Sequence, residues 1–338
     1  MNESVDVLVI GGGQAGLAAS WRLAQAGIGH LVVDASARVG DSWRDRYDSL
    51  TLFTPRHLSD LPGMPLRGDA EGYATRLEFA DYLQAYSERN ALPISGSTRV
   101  VTLRQSERSF LARLDTGATV TARTVIVCTG AFQEPLVPTL ASTFAASVTQ
   151  LTAGSYRNPT SVPQGTVLVV GDGASGRDIA VDMATTHRVL LATGKPRRLF
   201  PARILGQSTW AWMDRIGLLS VTPGSPIGRA MQATDPFPDR GRSIRALRTL
   251  GIKVHPRLVE ATGSTARFAD GDAVQVNSVV WAVGYRNRHE WIEADTNADG
   301  LFFLGRPWQR NRASGLILGA NRDSASIVEA AADRLTNR

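Results

Sequence analysis

The thirty residues from Val5 to Asp34, VDVLVIGGGQAGLAASWRLAQAGIGHLVVD, constrain the fold of this chain more than any other stretch. Val5 to Ile10 is a continuous apolar run rich in β-branched residues, the pattern of a parallel strand buried on both faces. Gly11, Gly13 and Gly16 follow at once, a spacing that gives a tight turn, close approach of the backbone to a pyrophosphate, and close packing of helix on strand. Gln14 and Ala15 open the helix. Its free N–H groups and the positive end of its dipole face the phosphates, so the loop needs no Lys or Arg. Ala18, Ala19, Leu23 and Ala24 carry an apolar stripe to Gly27, and a second strand from Leu31 to Val33 ends in Asp34, followed by Ala35. A carboxylate at that strand end accepts hydrogen bonds from ribose hydroxyls and repels a 2′-phosphate. The unit predicts an unphosphorylated adenosine dinucleotide. FAD is the expected ligand, and NAD is the alternative this unit alone does not separate from it.

The pattern then recurs. VLVVGDGASGRDIA, from Val167 to Ala180, restates VLVIGGGQAGLAAS with Gly171, Gly173 and Gly176 at the fingerprint positions and Ala174 and Ser175 opening the helix. VVWAVG, Val279 to Gly284, likewise restates VIVCTG of Val125 to Gly130. Two such modules predict an α/β fold of two dinucleotide-binding (Rossmann-like) domains: an FAD domain of residues 1–160 and 285–338, with an NADPH domain of residues 161–284 inserted into it. The second unit has no acid at the end of its second strand. Thr193, Lys195, Arg197 and Arg198 stand there instead, a hydroxyl and three cations suited to a 2′-phosphate, which favours NADPH over NADH. A merely solvated basic loop is the competing reading.

Composition narrows the chemistry. The chain has 338 residues, 43% of them hydrophobic and 20% charged, enough for two cores of an ordinary soluble protein. Of 37 basic residues only Lys195 and Lys253 are lysine, and the arginines are scattered without an aromatic-basic module, so no nucleic-acid partner is expected. Cys128 is the only cysteine, which excludes a Cys-x-x-Cys pair and the dithiol relay of a disulfide reductase. No cluster at metal-ligand spacing is present. The first strand starts within a few residues of Met1, with no basic region or cleavage site before it. No apolar run is long enough for a membrane span, giving the expectation of a cytoplasmic protein.

Between the modules, Gly40, Trp43 and Arg44 form a Gly-x-x-Trp-Arg segment, and Leu50, Leu52, Thr54 and Pro55 a Leu-x-Leu-x-Thr-Pro stretch. Together with the paired fingerprints and Pro307-Trp308-Gln309, these residues resemble the flavin-containing monooxygenase family over nearly the whole chain. The resemblance implies that Trp43, Arg44 and Thr54 line the flavin, that Thr129 and Gly130 bring the chain across FAD, and that Gly305, Ser314 and Gly315 fold against it; Val101 is placed in the same set. It implies NADPH delivering hydride to flavin N5, O₂ adding at C4a, and a hydroperoxide oxygenating a small molecule at nitrogen, sulfur or a carbonyl. The partners are then a small-molecule substrate and O₂, with self-association into a homodimer left open. The family's Phe-x-Gly-x-x-x-His signature is altered here: counting from Phe144 puts Ala146 at the glycine and Gln150 at the histidine, and counting back from Tyr156 puts Thr152 there. Ala174 stands where many relatives have Asn, and Phe53 about where some do. Two rivals are an NADPH-dependent flavin reductase passing electrons elsewhere and a flavin-binding redox sensor without turnover.

Local patterns give further expectations. Thr75 and Glu78 form a capping box ahead of a helix burying Phe79, Tyr82, Leu83 and Tyr86. Residues 99–121 read as a β-meander ahead of a separate strand at 125–127, and Asp270-Gly271 as a hairpin turn. Trp210, Met213, Ile216 and Leu219 are expected to pack within the NADPH domain, Arg240, Arg242, Arg245 and Arg248 to face water, and Ser324 to cap the last helix.

Overall fold

The computed structural model describes residues 2–234 and 236–336. Its first sheet is built around Asn2–Ile10, whose Val7, Leu8 and Val9 are wholly buried. His30–Val33 pairs with it in parallel on one side and Thr119–Val127 on the other. Alternate side chains leave the strand on opposite faces. Val7 and Val9 meet Ala19 and Leu23 of the fingerprint helix and Ile327 of the last helix, while Leu8 and Ile10 meet Phe110, Ala112 and Leu103 of the meander.

The meander and the following strand are one continuous element. Thr119–Val127 pairs antiparallel with Ser109–Leu114 only as far as Ala122, and Leu301–Phe303 then takes over that edge in parallel from Val125 onward. Burial follows the change of partner, alternating in the first half and continuous from Thr124. The returning chain from residue 285 thus completes the first sheet.

The second sheet is parallel throughout, in the order Lys253–His255, Arg188–Ala192, Thr166–Val170, Ser278–Trp281, Thr149–Thr152. Its edge strand lies upstream of residue 161, because TQLT pairs through its backbone while carrying too little apolar pattern to be read as a strand. The two crossings between the sheets run antiparallel, Glu134–Pro135 against Tyr285–Arg286, with Arg286 forking onto Glu134 at 2.9 Å through Nε and Nη2.

The capping box at Thr75 and Glu78 is present, and the helix Arg76–Arg89 buries the four expected side chains. The hairpin at Asp270-Gly271 joins Thr265–Phe268 to Ala273–Gln275. Three further expectations need correction. The last helix begins at Ile317, so Ser324 lies mid-helix; it is fully buried, donates to the Asn321 carbonyl at 2.8 Å and accepts from Arg22 at 2.8 Å. The apolar run Ile317-Leu318-Gly319-Ala320 nucleates the helix seven residues earlier. Trp210, Met213 and Leu219 pack against Leu58, Ala313, Leu316 and Leu318 of the first unit, not within the second. The helix Thr209–Arg215 is short, and the left-handed Gly217 after it turns Ile216 outward, 65% exposed. Arg240 and Arg242 fold onto the buried Asp178, whereas Arg245 and Arg248 are exposed. Among the described residues no helix is long and apolar enough to cross a membrane.

Candidate functional site

The first fingerprint is crowded on one side and open on the other. Gly11 has φ of +107°, and a Cβ there would stand 2.6 Å from the Cys128 carbonyl oxygen. A Cβ on Gly16 would stand 1.8 Å from the Gly11 oxygen, so the helix lies directly on the strand turn. Around Gly13 nothing lies within 4 Å of that position. Gly13 is also the N-cap of Gln14–Gln25 and offers no side-chain cap, leaving the first-turn N–H groups directed at that open space. Beside it Asp34 accepts from the Gly12 amide at 2.5 Å and from the Ser36 amide at 2.6 Å, with Ala35 exposed between. A dianionic pyrophosphate and a ribose diol fit this arrangement of donors, space and carboxylate.

The other residues of the first site gather on the same loops in different roles. Gln14 accepts from the Trp43 indole at 3.2 Å, and the Trp43 ring meets Phe79 edge-on at 4.9 Å, so Trp43 ties its loop to the fingerprint helix. Arg44 is a brace: Val39, Asp41, Asp81 and Gln84 engage its guanidinium, locking loop to helix Arg76–Arg89. Thr54 is buried and its hydroxyl pairs with Ser59 at 2.7 Å. Val101 sits half-buried at the bulge between Val100 and Thr102. Thr129 accepts from Gln133 at 2.9 Å, and Gly130 follows in left-handed backbone. Gly305, also left-handed, approaches so closely that a Cβ would meet that of Ala15 at 2.9 Å. Ser314 and Gly315 lie in the turn Arg312–Gly315; the Ser314 hydroxyl accepts from the Arg310 and Asn311 amides at 3.1 Å, so it secures the turn from which the last helix starts.

The second fingerprint repeats the geometry. Cβ atoms on Gly171 and Gly176 would stand 2.4 Å from Ala282 O and 1.9 Å from Gly171 O, while Gly173 caps Ala174–Met183 without a side-chain bond. Ala174 and Ser175 occupy its first turn. Of the residues expected to hold a 2′-phosphate, Lys195 and Arg198 are exposed, and Thr193 donates its hydroxyl to the His255 carbonyl at 3.1 Å. Arg197 is turned inward, its Nε 3.6 Å from Asp172. Asp172 is the residue that reading the fingerprint missed, because the x in Gly-x-Gly carries no rule of its own. It is buried, paired with Arg177 at 3.1 Å and bonded by the Gly194 amide at 3.2 Å.

A second network joins the two units. Asp178, on the second fingerprint helix, receives Arg240 at 2.5 Å, Arg242 at 3.1 Å and the Tyr47 hydroxyl at 3.4 Å, and Arg240 also donates to Thr51 at 3.0 Å. Burial, reinforced by the Asp178 charge, pushes the Tyr47 phenol well above its ordinary range, so it stays a protonated donor. Burial likewise raises the Cys128 thiol, leaving no thiolate in the ordinary pH range. The altered signature segment serves the second sheet. Phe144 packs on Trp281, Gln150 accepts from the Trp281 indole and donates to Ala141, both at 3.0 Å, and Thr152 ends the edge strand beside Ser155.

Two dinucleotide folds, each with a glycine helix start that carries no side-chain cap, define a chain with two places for a nucleotide, the second crossed by the Arg197 guanidinium. A family model for pyridine nucleotide-disulphide oxidoreductases matches residues 8–199, more than half the chain. An uncharacterized CzcO-like oxidoreductase of Geobacillus kaustophilus is 39% identical over 97% of this chain and 98% of its own length. A probable indole-3-pyruvate monooxygenase of Arabidopsis thaliana, YUCCA8, is 26% identical over 85% of this chain and 76% of its own. Among solved structures, a flavin-containing monooxygenase from Stenotrophomonas maltophilia superposes with a TM-score of 0.81 at 23% identity, covering 99% of this chain and 100% of that one. The chain belongs to the pyridine nucleotide-disulphide oxidoreductase family and shares its fold with flavin monooxygenases. It is an oxidoreductase of that family. The dithiol chemistry in the family's name has no counterpart here, since Cys128 is the one cysteine and is 5% exposed.

Proposed function

We propose that the chain is a monooxygenase that uses NADPH and O₂ to place one oxygen atom on a nitrogen, sulfur or carbonyl carbon of a small molecule. FAD would be held by Gly11, Gly13, Gln14, Ala15 and Gly16 at its pyrophosphate and by Asp34 and Ala35 at its ribose. Val101, Thr54, Thr129, Gly130, Gly305 and the Ser314-Gly315 turn would complete its surroundings. NADPH would be held by Gly171 to Gly176, with Arg197 and Lys195 as partners of the 2′-phosphate. The first sheet with its returning segment is then the FAD domain and the second sheet the NADPH domain. When bound, the flavin supplies the redox chemistry, taking hydride from the nicotinamide and activating oxygen.

The chain's own contribution is to bind, orient and exclude. Trp43 and Arg44 fix the loop ahead of Leu50–Thr54, while Asp178 and Arg240 hold that segment, through Thr51, against the nucleotide helix. Tyr47 remains neutral there and adds no charge to the interface. The observation that carries the reading is the pair of glycine N-caps without side-chain caps in a chain without a second cysteine, which supports electron transfer between nucleotides and away from thiols.

A flavin reductase is the second reading, favoured by one observation: Phe144 and Gln150 are committed to the second sheet's core and edge, and their segment carries no histidine to offer the junction. Incubation with NADPH and ¹⁸O₂ separates the two, using panels of sulfides, amines and ketones. A monooxygenase transfers one ¹⁸O to product with NADPH consumed in near-equal amount. A reductase reduces a dye anaerobically and returns all oxygen as peroxide.

A further inference from the structure

The two fingerprints differ by an exchange of one carboxylate. The repeat aligns Gly12 with Asp172, and the strand register puts Thr193, followed by Gly194, where the first unit has Asp34. In the first unit the carboxylate comes from the strand end, Asp34 accepting from the Gly12 amide at 2.5 Å. In the second it comes from the loop, Asp172 accepting from the Gly194 amide at 3.2 Å. Both carboxylates bridge the same two places, the glycine loop and the end of the second strand, and a dinucleotide fold meets its adenosine ribose there. The acid that the second strand lacks is therefore present, supplied from the other side.

Its cover is what differs. Asp172 is 3% exposed, with Arg177 on Oδ2 at 3.1 Å and Arg197 beside Oδ1 at 3.6 Å. Arg177 is itself buried and also donates to the carbonyls of Asp172 and Arg242, at 2.8 and 2.5 Å, so it is fixed. Arg197 sits on the loop after the second strand, 29% exposed, and its Nη2 lies 3.7 Å from where a Cβ on Gly173 would be. Its guanidinium thus lies across the fingerprint and over Asp172.

We infer that the Asp172–Arg197 pair is the selector between NADPH and NADH, a proposal resting on the second fingerprint being the nicotinamide nucleotide site. With NADPH, the Arg197 guanidinium turns from Asp172 to the 2′-phosphate, and Arg177 and Gly194 keep the carboxylate compensated. With NADH no phosphate draws Arg197 away, and the ribose 2′-hydroxyl must displace it to donate to the Asp172 oxygen that it covers. One site serves both nucleotides, and the two members of one ion pair pull its preference in opposite directions.

The test uses FAD-loaded protein and calorimetric titration with adenosine 2′,5′-bisphosphate, which carries the 2′-phosphate, and ADP, which lacks it. Arg197→Ala should weaken the bisphosphate by about tenfold or more, the effect of losing one charge-assisted hydrogen bond, and leave ADP unchanged or tighter because Asp172 is uncovered. Asp172→Asn should weaken ADP by about tenfold and leave the bisphosphate unchanged or tighter. The ratio of flavin reduction by NADPH and NADH should move the same way in each variant. Loss of both ligands together in Arg197→Ala, or a shift of the ratio in one direction by both variants, overturns the selector. Arg197→Ala alters only a loop side chain, so its ADP result decides the matter even if Asp172→Asn loses its FAD. A parent protein binding neither probe and reduced by neither nucleotide overturns the site assignment itself.

Discussion

The same substitution at two glycines of one loop should fail in two different ways. A methyl group on Gly16 would stand 1.8 Å from the Gly11 carbonyl oxygen, which is backbone and cannot rotate aside. Ordinary contact is near 3.4 Å, so the helix must lift from the strand by more than 1 Å. Overpacking of this kind costs about 1–3 kcal/mol or more, and the roughly 1 kcal/mol gained by placing Ala in a helix offsets only part of it. A net loss of about 2 kcal/mol lowers the melting temperature of a chain this long by roughly 3 °C. Gly13 has φ of −75°, a conformation open to any residue, and nothing lies within 4 Å of its Cβ position. Gly13→Ala meets no clash and should cost FAD-stripped protein about 1 kcal/mol or less, the N-cap preference of Gly over Ala. It should weaken FAD about tenfold or more, because the methyl takes the space the pyrophosphate approaches. Thermal unfolding of the stripped variants and titration of FAD by fluorescence quenching give both quantities. Equal destabilisation by the two substitutions, or FAD binding by Gly13→Ala at parental affinity, refutes the reasoning.

Arg240→Ala removes one of two cations from buried Asp178 and the bond to Thr51, and should cost about 1–3 kcal/mol in denaturant unfolding, less than the 3–5 expected for a fully uncompensated buried charge. Lys195 is exposed, so Lys195→Ala should raise the NADPH Michaelis constant less than fivefold, well below the effect of Arg197→Ala. Cys128 should resist thiol reagents until the protein unfolds, and Cys128→Ala should retain flavin and NADPH oxidation. His30 donates from Nδ1 to the Ile28 carbonyl at 2.9 Å and accepts at Nε2 from Ser20 at 2.8 Å, and burial holds its pKa below 6.5. The unfolded chain then binds the extra proton, so the contribution of His30 to stability is complete above pH 6.5 and is lost as pH falls to the folded value. A melting-temperature profile of His30→Gln should lose part of its decline below pH 6.5.

The sequence was most legible where one local rule decides the structure. The fingerprint glycines, the buried strands, the capping box at Thr75 and the turn at Asp270-Gly271 all follow from backbone geometry within a few residues. It was least legible where partners lie far apart in the chain. Arg240 and Arg242 look like surface charges until Asp178 is brought beneath them, and Trp210 looks like core of its own unit until Leu58 and Leu316 arrive to cover it. Thr149–Thr152 is a strand by pairing alone, since polar residues at a sheet edge leave little hydrophobic signal. Thr54, Ser314 and Thr193 were read as cofactor hydroxyls, and each is engaged by neighbouring protein groups, a use that residue type does not reveal. Asp172 had a readable signal in the repeat, which places it opposite Gly12.

The most direct test of the account is anaerobic titration of the FAD-loaded protein with NADPH, following flavin absorbance in a rapid-mixing instrument. One NADPH should bleach one FAD, the rate should saturate with NADPH, and Arg197→Ala should raise the concentration needed without altering the final bleaching. A flavin that dithionite reduces but NADPH and NADH do not would contradict the claim that the two fingerprints of this chain bring a nicotinamide and a flavin together.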